Sequence, residues 1–379
     1  MKQQYDNEIR RQCMDIVHLA LPQFDASAAS FAGLIPADVL RGLRRVIVTG
    51  CGDSYLAAVE ASGAFQKYLA GSGCRMEYAR AIDAARYMDL GGGGTLLVAV
   101  SASGGPARIA EILERGKRRG CVTVALTNTA DSRAARTADY AYLTNTPPFP
   151  DNMPGLRNYF ASLVSLFVMA AAMGEALGQT GAVVQLRNQL EAYNDKFAPL
   201  LEAIDEAAFG AAKAWQGGRG FEAVADGPLF ACAGFIAAKY AEVSGDKCTV
   251  CDSENYCHVN AITRPKGALG TYALAFSHER NISRLADTVN QQVEQELRPV
   301  FVIADKPAAQ LGITAPVREC VLPSIDPEFA FLYLLYAYIP GSLAAGYHAA
   351  LIHEPYFRGG GVFFDPAVNT LKTNSIRVI

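Results

Sequence analysis

The sequence predicts an α/β protein of two tandem domains, each a parallel sheet with helices on both faces. Three observations point there. Short apolar, β-branched runs alternate with helical patterns through residues 44–145, and strands of a parallel sheet covered on both faces read as continuous apolar runs. The plan recurs after residue 220, where RPVFVIAD (298–305) mirrors CVTVALTN of the first half, which marks an internal duplication. The 379 residues, 51% of them hydrophobic, are more than one ordinary core needs.

In chain order, MKQQYDNEIRRQCMDIVHLALPQF places apolar residues at helical spacing between charges, so residues 1–40 form an N-terminal helical arm that packs on the first domain. The first domain, 41–195, opens with the strand RRVIVTG (44–50), a glycine turn and the helix SYLAAVEASGAFQKYLAG. TLLVAVS (95–101), the helix PARIAEILERGKRRG, VTVALTN (122–128), SRAARTA and YAYLTN (140–145) repeat the unit, and a long helix near 156–178 closes it. Charged, glycine-containing segments from about 179 to 220 lead to the second domain, 205–350. It starts with FEAVADGPL, a strand ending in a glycine turn, and continues into the helix FACAGFIAAKYAEV. Residues 351–379 form a C-terminal tail rich in Gly and Phe.

Composition narrows the function. A net charge of -3 with acids and bases intermixed produces no broad positive field, so neither nucleic acid nor an anionic membrane is an expected partner. Any anionic substrate must be held locally. Nine cysteines form an odd set, and no signal peptide precedes them, which predicts a reducing cytoplasm. Cys248-x2-Cys251-x5-Cys257-His258 has no second CxxC and no spaced histidine pair, so buried free thiols are expected there and no metal. The apolar stretches 158–178 and 329–352 carry Glu175 in one case and Pro340-Gly341 and His348 in the other, and read as buried core helices.

The chemistry concentrates in three places. Lys239 and Glu242 lie three apart, so on a helix they share one face and meet a common ligand. His258 follows Glu242 by sixteen residues and is expected on the loop after that helix. A cation, a carboxylate base and an imidazole are the groups needed to move protons at a sugar carbon. Alone, the pair would equally be a helical salt bridge and the histidine a loop residue. His18, His348 and His353 read as structural, and His278 is unassigned.

Two turns have the character of phosphate cradles. Gly50-Cys51-Gly52-Asp53-Ser54 and Ser101-Ala102-Ser103-Gly104-Gly105 each follow a strand and open a helix. Exposed backbone N–H groups, the positive end of a helix dipole and serine hydroxyls hold anions at the carboxyl ends of parallel strands. Ser, Asp and Gly also cap helices in any protein, but two such turns after neighbouring strands favour an anion site. Neither turn is a Walker loop or a GxGxxG motif, so a small phosphorylated metabolite is favoured over a nucleotide in them.

With these motifs in place, the chain resembles the sugar isomerase family of tandem SIS domains, above all the isomerase half of glucosamine-6-phosphate synthase, and also the fructosamine-6-phosphate deglycases. GCGDSY resembles the family's GCGTSY turn, Ser101-Ala-Ser-Gly its Ser-Gln-Ser-Gly turn, and KYAEVS with His258 its Lys-x-x-Glu-x-Ser and downstream histidine. GYHAALI (346–352) and NTLK (369–372) are similar to the synthase's closing helix and lysine tail. The resemblance implies a doubly wound, flavodoxin-like fold in each domain and an enzyme without a cofactor. It implies that Ser54, Ser101 and Ser103 hold a sugar phosphate, with Gly52, Gly104 and the backbone of Asp53 and Ala102 contributing. It further implies that Glu242 shuttles a proton between C1 and C2, that His258 assists ring opening and proton delivery and reaches the site from a neighbouring subunit of a homo-oligomer, and that Lys239 orients the carboxylate or an oxygen of the open chain. Lys372 would form an imine with a ketose or bind its oxygens.

The sequence also departs from the pattern. Gly105-Pro106 stands where the family carries a further hydroxyl, although Pro106 suits the start of a helix. His258 is followed by Val259-Asn260 rather than Gly-Pro, Asn255 stands where the synthase has a glutamate with Glu254 adjacent, and two residues are inserted after Lys372. Residue 2 is lysine rather than the glutaminase cysteine, and the α/β segments begin within fifty residues, so glutamine-dependent amination is not expected. The expected activity is deglycation of a 6-phosphorylated ketosamine. Aldose-ketose isomerisation or amino-sugar-phosphate deamination with the same residues is the alternative, and a non-catalytic sugar-phosphate sensor is the alternative of another class.

Overall fold

A computed structural model describes residues 2–148, 153–218, 220–262 and 269–359. Their elements run α1 (Glu8–Phe31), α2 (Ala37–Gly42), β1 (Arg45–Gly50), α3 (Asp53–Glu60), α4 (Ser62–Tyr68), β2 (Arg75–Arg80), α5 (Ala81–Arg86), β3 (Thr95–Val100), α6 (Ala107–Arg118), β4 (Val122–Thr127), α7 (Arg133–Thr137), β5 (Tyr140–Leu143) and α8 (Arg157–Ala176). They continue α9 (Ala182–Phe197), α10 (Leu201–Ala214), β6 (Gly220–Val224), α11 (Leu229–Val243), β7 (Lys247–Cys251), α12 (Ser253–His258), β8 (Gly270–Ala275), α13 (Ile282–Glu294), β9 (Val300–Ala304), β10 (Arg318–Val321) and α14 (Ile339–Leu351).

Two five-stranded sheets result. The first has the order β2-β1-β3-β4-β5 and the second β10-β9-β8-β6-β7. Every pair is parallel. Read from the other edge, the second order repeats the first, the flavodoxin-like arrangement in which the direction of winding switches beside the first strand of the unit. The central strands β3 and β8 are buried at all six positions, which is why Thr95-Leu-Leu-Val-Ala-Val100 reads as an unbroken apolar run. Each large aliphatic side chain in it contributes roughly 1.5–3 kcal/mol by leaving water.

Contacts divide the described chain into a first unit, residues 18–148 and 157–192, and a second unit, residues 2–17, 153–156 and 193–359. The segment expected to be a charged connection after residue 179 is instead the helices α9 and α10. Leu186, Leu190, Tyr193 and Phe197 recur at helical spacing and are buried, so the apolar period outweighs the charges between them. The helix expected over residues 54–71 is divided at Ala61 into α3 and α4.

The two long apolar stretches are interior. Arg157–Ala176 is long and apolar enough to cross a membrane, as is Pro327–Leu351, and 83% and 94% of their most apolar windows are buried inside the protein. In the second stretch Pro340 stands in the first turn of α14, where its missing N–H costs no helical bond. Six of the nine cysteines are buried, Cys248 and Cys257 are half-buried, and Cys51 alone is exposed, so the turn that carries it is open to solvent. Among the described residues no three His, Cys, Asp or Glu side chains converge as metal ligands would.

Candidate functional site

In the first unit both serine-bearing turns stand at the carboxyl ends of adjacent central strands, β1 and β3. Gly52 is the residue before α3 and holds φ 53°, ψ -127°, a conformation that only glycine enters without strain. It supplies no side-chain cap, and Pro106 supplies none to α6, so neither N-cap residue covers the positive end of its helix dipole with a capping bond. The α7 N-terminus differs, since Ser132 Oγ accepts the Ala135 N–H at 3.2 Å.

The second turn is tightly built. Gly104 N–H donates to Ser101 Oγ at 3.2 Å, and Gly105 N–H to Ser103 Oγ at 3.4 Å. The Ala102 carbonyl accepts from Asn128 N–H at 2.9 Å and from Thr127 Oγ1 at 3.1 Å. Thr127 and Asn128 thus anchor the turn to the loop after β4, a link that no local sequence signal marked. Arg108, in the first turn of α6, acts electrostatically on Cys51 of the other turn. It is bound, together with Arg86, to the buried carboxylate of Glu111.

Gly104 has φ +58°, and a Cβ there would lie 2.1 Å from Ser132 Oγ and 2.4 Å from its Cβ. The expected result for Gly104→Ala is a loss of about 2–4 kcal/mol in denaturant unfolding, the sum of left-handed strain and forced displacement of Ser132. An unchanged midpoint would show that the turn relaxes freely.

The second unit carries the proposed acid-base groups. Lys239 is wholly buried on α11, and its Nζ lies 2.5 Å from Glu242 Oε2. The same ammonium sits 4.4 Å from the centre of the Phe235 ring, an additional stabilisation of a buried cation. Glu242 keeps 30% of its side chain exposed, and the Lys239 ammonium orients its carboxylate. The segment Tyr356–Gly359 passes this helix, where Arg358 lies against Gly245. Lys372 lies outside the described residues.

His258 is not on a loop but at the last position of the short helix α12. Asp252 creates that helix, accepting the Glu254 and Asn255 N–H groups and the Asn255 side-chain amide. The imidazole is 70% exposed and its Nε2 lies 3.4 Å from Glu254 Oε1, rather than against Glu242. Residues on both sides of it reach a buried ionic cluster. Tyr256 OH donates to Glu296 Oε2 at 2.6 Å and Asn260 Nδ2 to Glu222 Oε1 at 2.9 Å, while Arg298 binds Glu222 at 2.5 Å and Glu296 at 2.8 Å. The unusual Asn260 therefore has a structural role. Of the remaining histidines, His348 is buried on Asp246 at 2.9 Å, and His278 stacks on Tyr333 with ring centres 5.2 Å apart.

Residues 40–173, which contain both serine turns, match the SIS-domain family. The first unit carries an SIS domain. Within the SIS domain the turns occupy the strand ends where the fold places ligands. Over 147 residues the chain is 26% identical to a glutamine--fructose-6-phosphate aminotransferase (isomerizing) of Pyrococcus horikoshii, a match covering 38% of this chain and 23% of that relative. The chain thus spans under a quarter of the length of that curated protein. Its whole fold is similar to the C-terminal domain of a glucosamine-fructose-6-phosphate aminotransferase from Francisella tularensis, with TM-score 0.76, 15% identity, and 91% of this chain and 97% of that one covered. It is also similar to a glucosamine-6-phosphate deaminase from Thermotoga maritima, with TM-score 0.60, 16% identity and coverage of 92% and 96%. Both sheets therefore share the fold of these structures.

Proposed function

We propose that the chain is a phosphosugar enzyme that removes an amine from a 6-phosphorylated ketosamine. The observation that carries this reading is the Lys239–Glu242 pair, a buried ammonium 2.5 Å from a carboxylate that remains partly exposed. A carboxylate held in one orientation on a partly exposed side chain is a suitable base for a carbon acid.

The serine turns of the SIS domain would bind the phosphate. Glu242 would take a proton from C1 of the ketosamine, and the electron pair would form a C1–C2 double bond, giving an enaminol. Return of the proton to C2 would give the aldimine. Water would add to its C=N bond, and cleavage of the C–N bond would release aldose phosphate and free amine. His258 would assist proton delivery during ring opening, from a neighbouring copy in a homo-oligomer, and Lys372 would bind substrate oxygens. A cytoplasmic setting agrees with the free thiols. Likeness to a fold that includes a glucosamine-6-phosphate deaminase supports amine release; isomerisation without amine release would use the same base.

Incubation in D2O with fructosamine 6-phosphates, glucosamine 6-phosphate and fructose 6-phosphate separates these readings. The expected result is amine release from the ketosamine with deuterium appearing at C2. Exchange without amine release would identify an isomerase, and binding without exchange a sensor.

A further inference from the structure

The first unit contains a cavity of about 590 Å³ away from the serine turns, lined by Arg86, Tyr87, Asp89, Arg115, Arg118 and Arg119 among others. Its position follows from topology. α6 starts at the serine turn after β3 and ends at Arg118, just before β4, while the segment after α5 leads into the start of β3. The cavity therefore lies at the amino ends of the strands, the end of the sheet opposite the serine turns.

Four guanidinium groups and one carboxylate face this cavity in a chain whose net charge is -3. Arg86 binds the buried Glu111 at 2.5 Å, and Arg118 is 3.8 Å from Glu114. Among the described residues neither Arg115 nor Arg119 has a carboxylate within ion-pair distance. The Asp89 carboxylate is engaged by the Gly91 N–H at 3.0 Å. Cations at the end of α6 complement its dipole, which accounts for one or two of them. It does not account for Arg86 and Tyr87 approaching from α5, nor for Tyr87 standing 83% exposed beside the arginines.

We infer that this cavity is a binding site for a nucleoside diphosphate, with Arg115, Arg119 and Arg118 on the phosphates and the Tyr87 ring against the base. The volume is in the range of small-ligand sites. Forked guanidinium donors match phosphate oxygens in pairs, and an exposed aromatic face stacks on any base.

ADP and inorganic pyrophosphate, titrated calorimetrically into the full chain at low and physiological salt, test this. Because the serine turns also bind anions, the titration is repeated in a Ser54→Ala/Ser101→Ala/Ser103→Ala background. ADP binding is expected to persist there and to weaken as salt rises. Arg115→Gln/Arg119→Gln is expected to weaken both ligands at least tenfold, whereas Tyr87→Ala is expected to weaken ADP roughly tenfold and pyrophosphate little. These side chains are at the surface, and an unchanged unfolding midpoint confirms that the variants fold. No ADP binding to the wild type, binding that disappears with the serines, or binding indifferent to the arginine pair would each overturn the assignment.

Discussion

Glu242→Gln is expected to reduce turnover by about a hundred- to ten-thousand-fold while sugar-phosphate binding survives, because glutamine keeps the shape of the side chain but cannot accept the substrate proton. The position is demanding for a second reason. Lys239 is wholly buried and its ammonium lies 2.5 Å from this carboxylate, so the neutral replacement also removes the charge that balances it. Loss of one partner of a buried pair costs about 3–5 kcal/mol where the remaining charge is fully desolvated; the partial exposure of Glu242 reduces that figure here. A change in folding is separated from a change in chemistry by Lys239→Met/Glu242→Gln, which removes both charges. The double variant is expected to regain the unfolding midpoint and not the activity. Turnover restored in the double variant, or equal in Glu242→Gln and wild type, would remove Glu242 from the role of base.

The largest effect on stability is expected at Arg298. Its guanidinium is wholly buried between Glu222 and Glu296, which are themselves almost completely enclosed. Arg298→Ala leaves two carboxylates without their cation and is expected to cost about 3–5 kcal/mol in urea unfolding. The loss depends on pH. Burial already pushes the Glu222 carboxyl above the usual carboxylate range, against the opposing pull of Asn260 and Arg298. A group whose folded pKa is raised holds its proton in the folded state after the unfolded chain has released it, so stability falls as pH rises above the ordinary carboxylate value. The variant is therefore expected to be closest to wild type near pH 4–5 and furthest from it near pH 8. A deficit that is constant across this range would contradict the charged cluster. Tyr256 and Asn260 flank His258 and depend on the same cluster, so any activity that uses His258 should fall with it.

The serine turns and the Lys239–Glu242 pair were readable because their geometry is local. Glycine before a helix, serines at a strand end, and a cation and an acid three residues apart are fixed by backbone chemistry within a few residues. The same holds for β1, β3 and β4, whose apolar runs carry the parallel-sheet signature. The strand β2 gave no such signal. Arg-Met-Glu-Tyr-Ala-Arg is an edge strand with no fully buried position, so nothing in its pattern demanded a covered sheet. The helices α9 and α10 were obscured by charges on their open faces.

Some features required the folded chain. Glu222 and Arg298 are seventy-six residues apart in sequence, and only the parallel packing of the second sheet brings them together. The same packing gives Asn260 its partner Glu222, so a residue that departs from the family pattern after His258 is an anchor. The arginine cavity likewise joins the end of α5 to the end of α6, whereas in the sequence its arginines are an ordinary basic helix terminus. Sequence alone determined the α/β plan, its duplication, the two serine turns at strand ends and the shared face of Lys239 and Glu242, because each rests on periodicity or on neighbours along the chain. Tertiary structure decided which charges are buried, which are paired and which face open space, because desolvation and Coulomb energy depend on distance through the fold rather than along it.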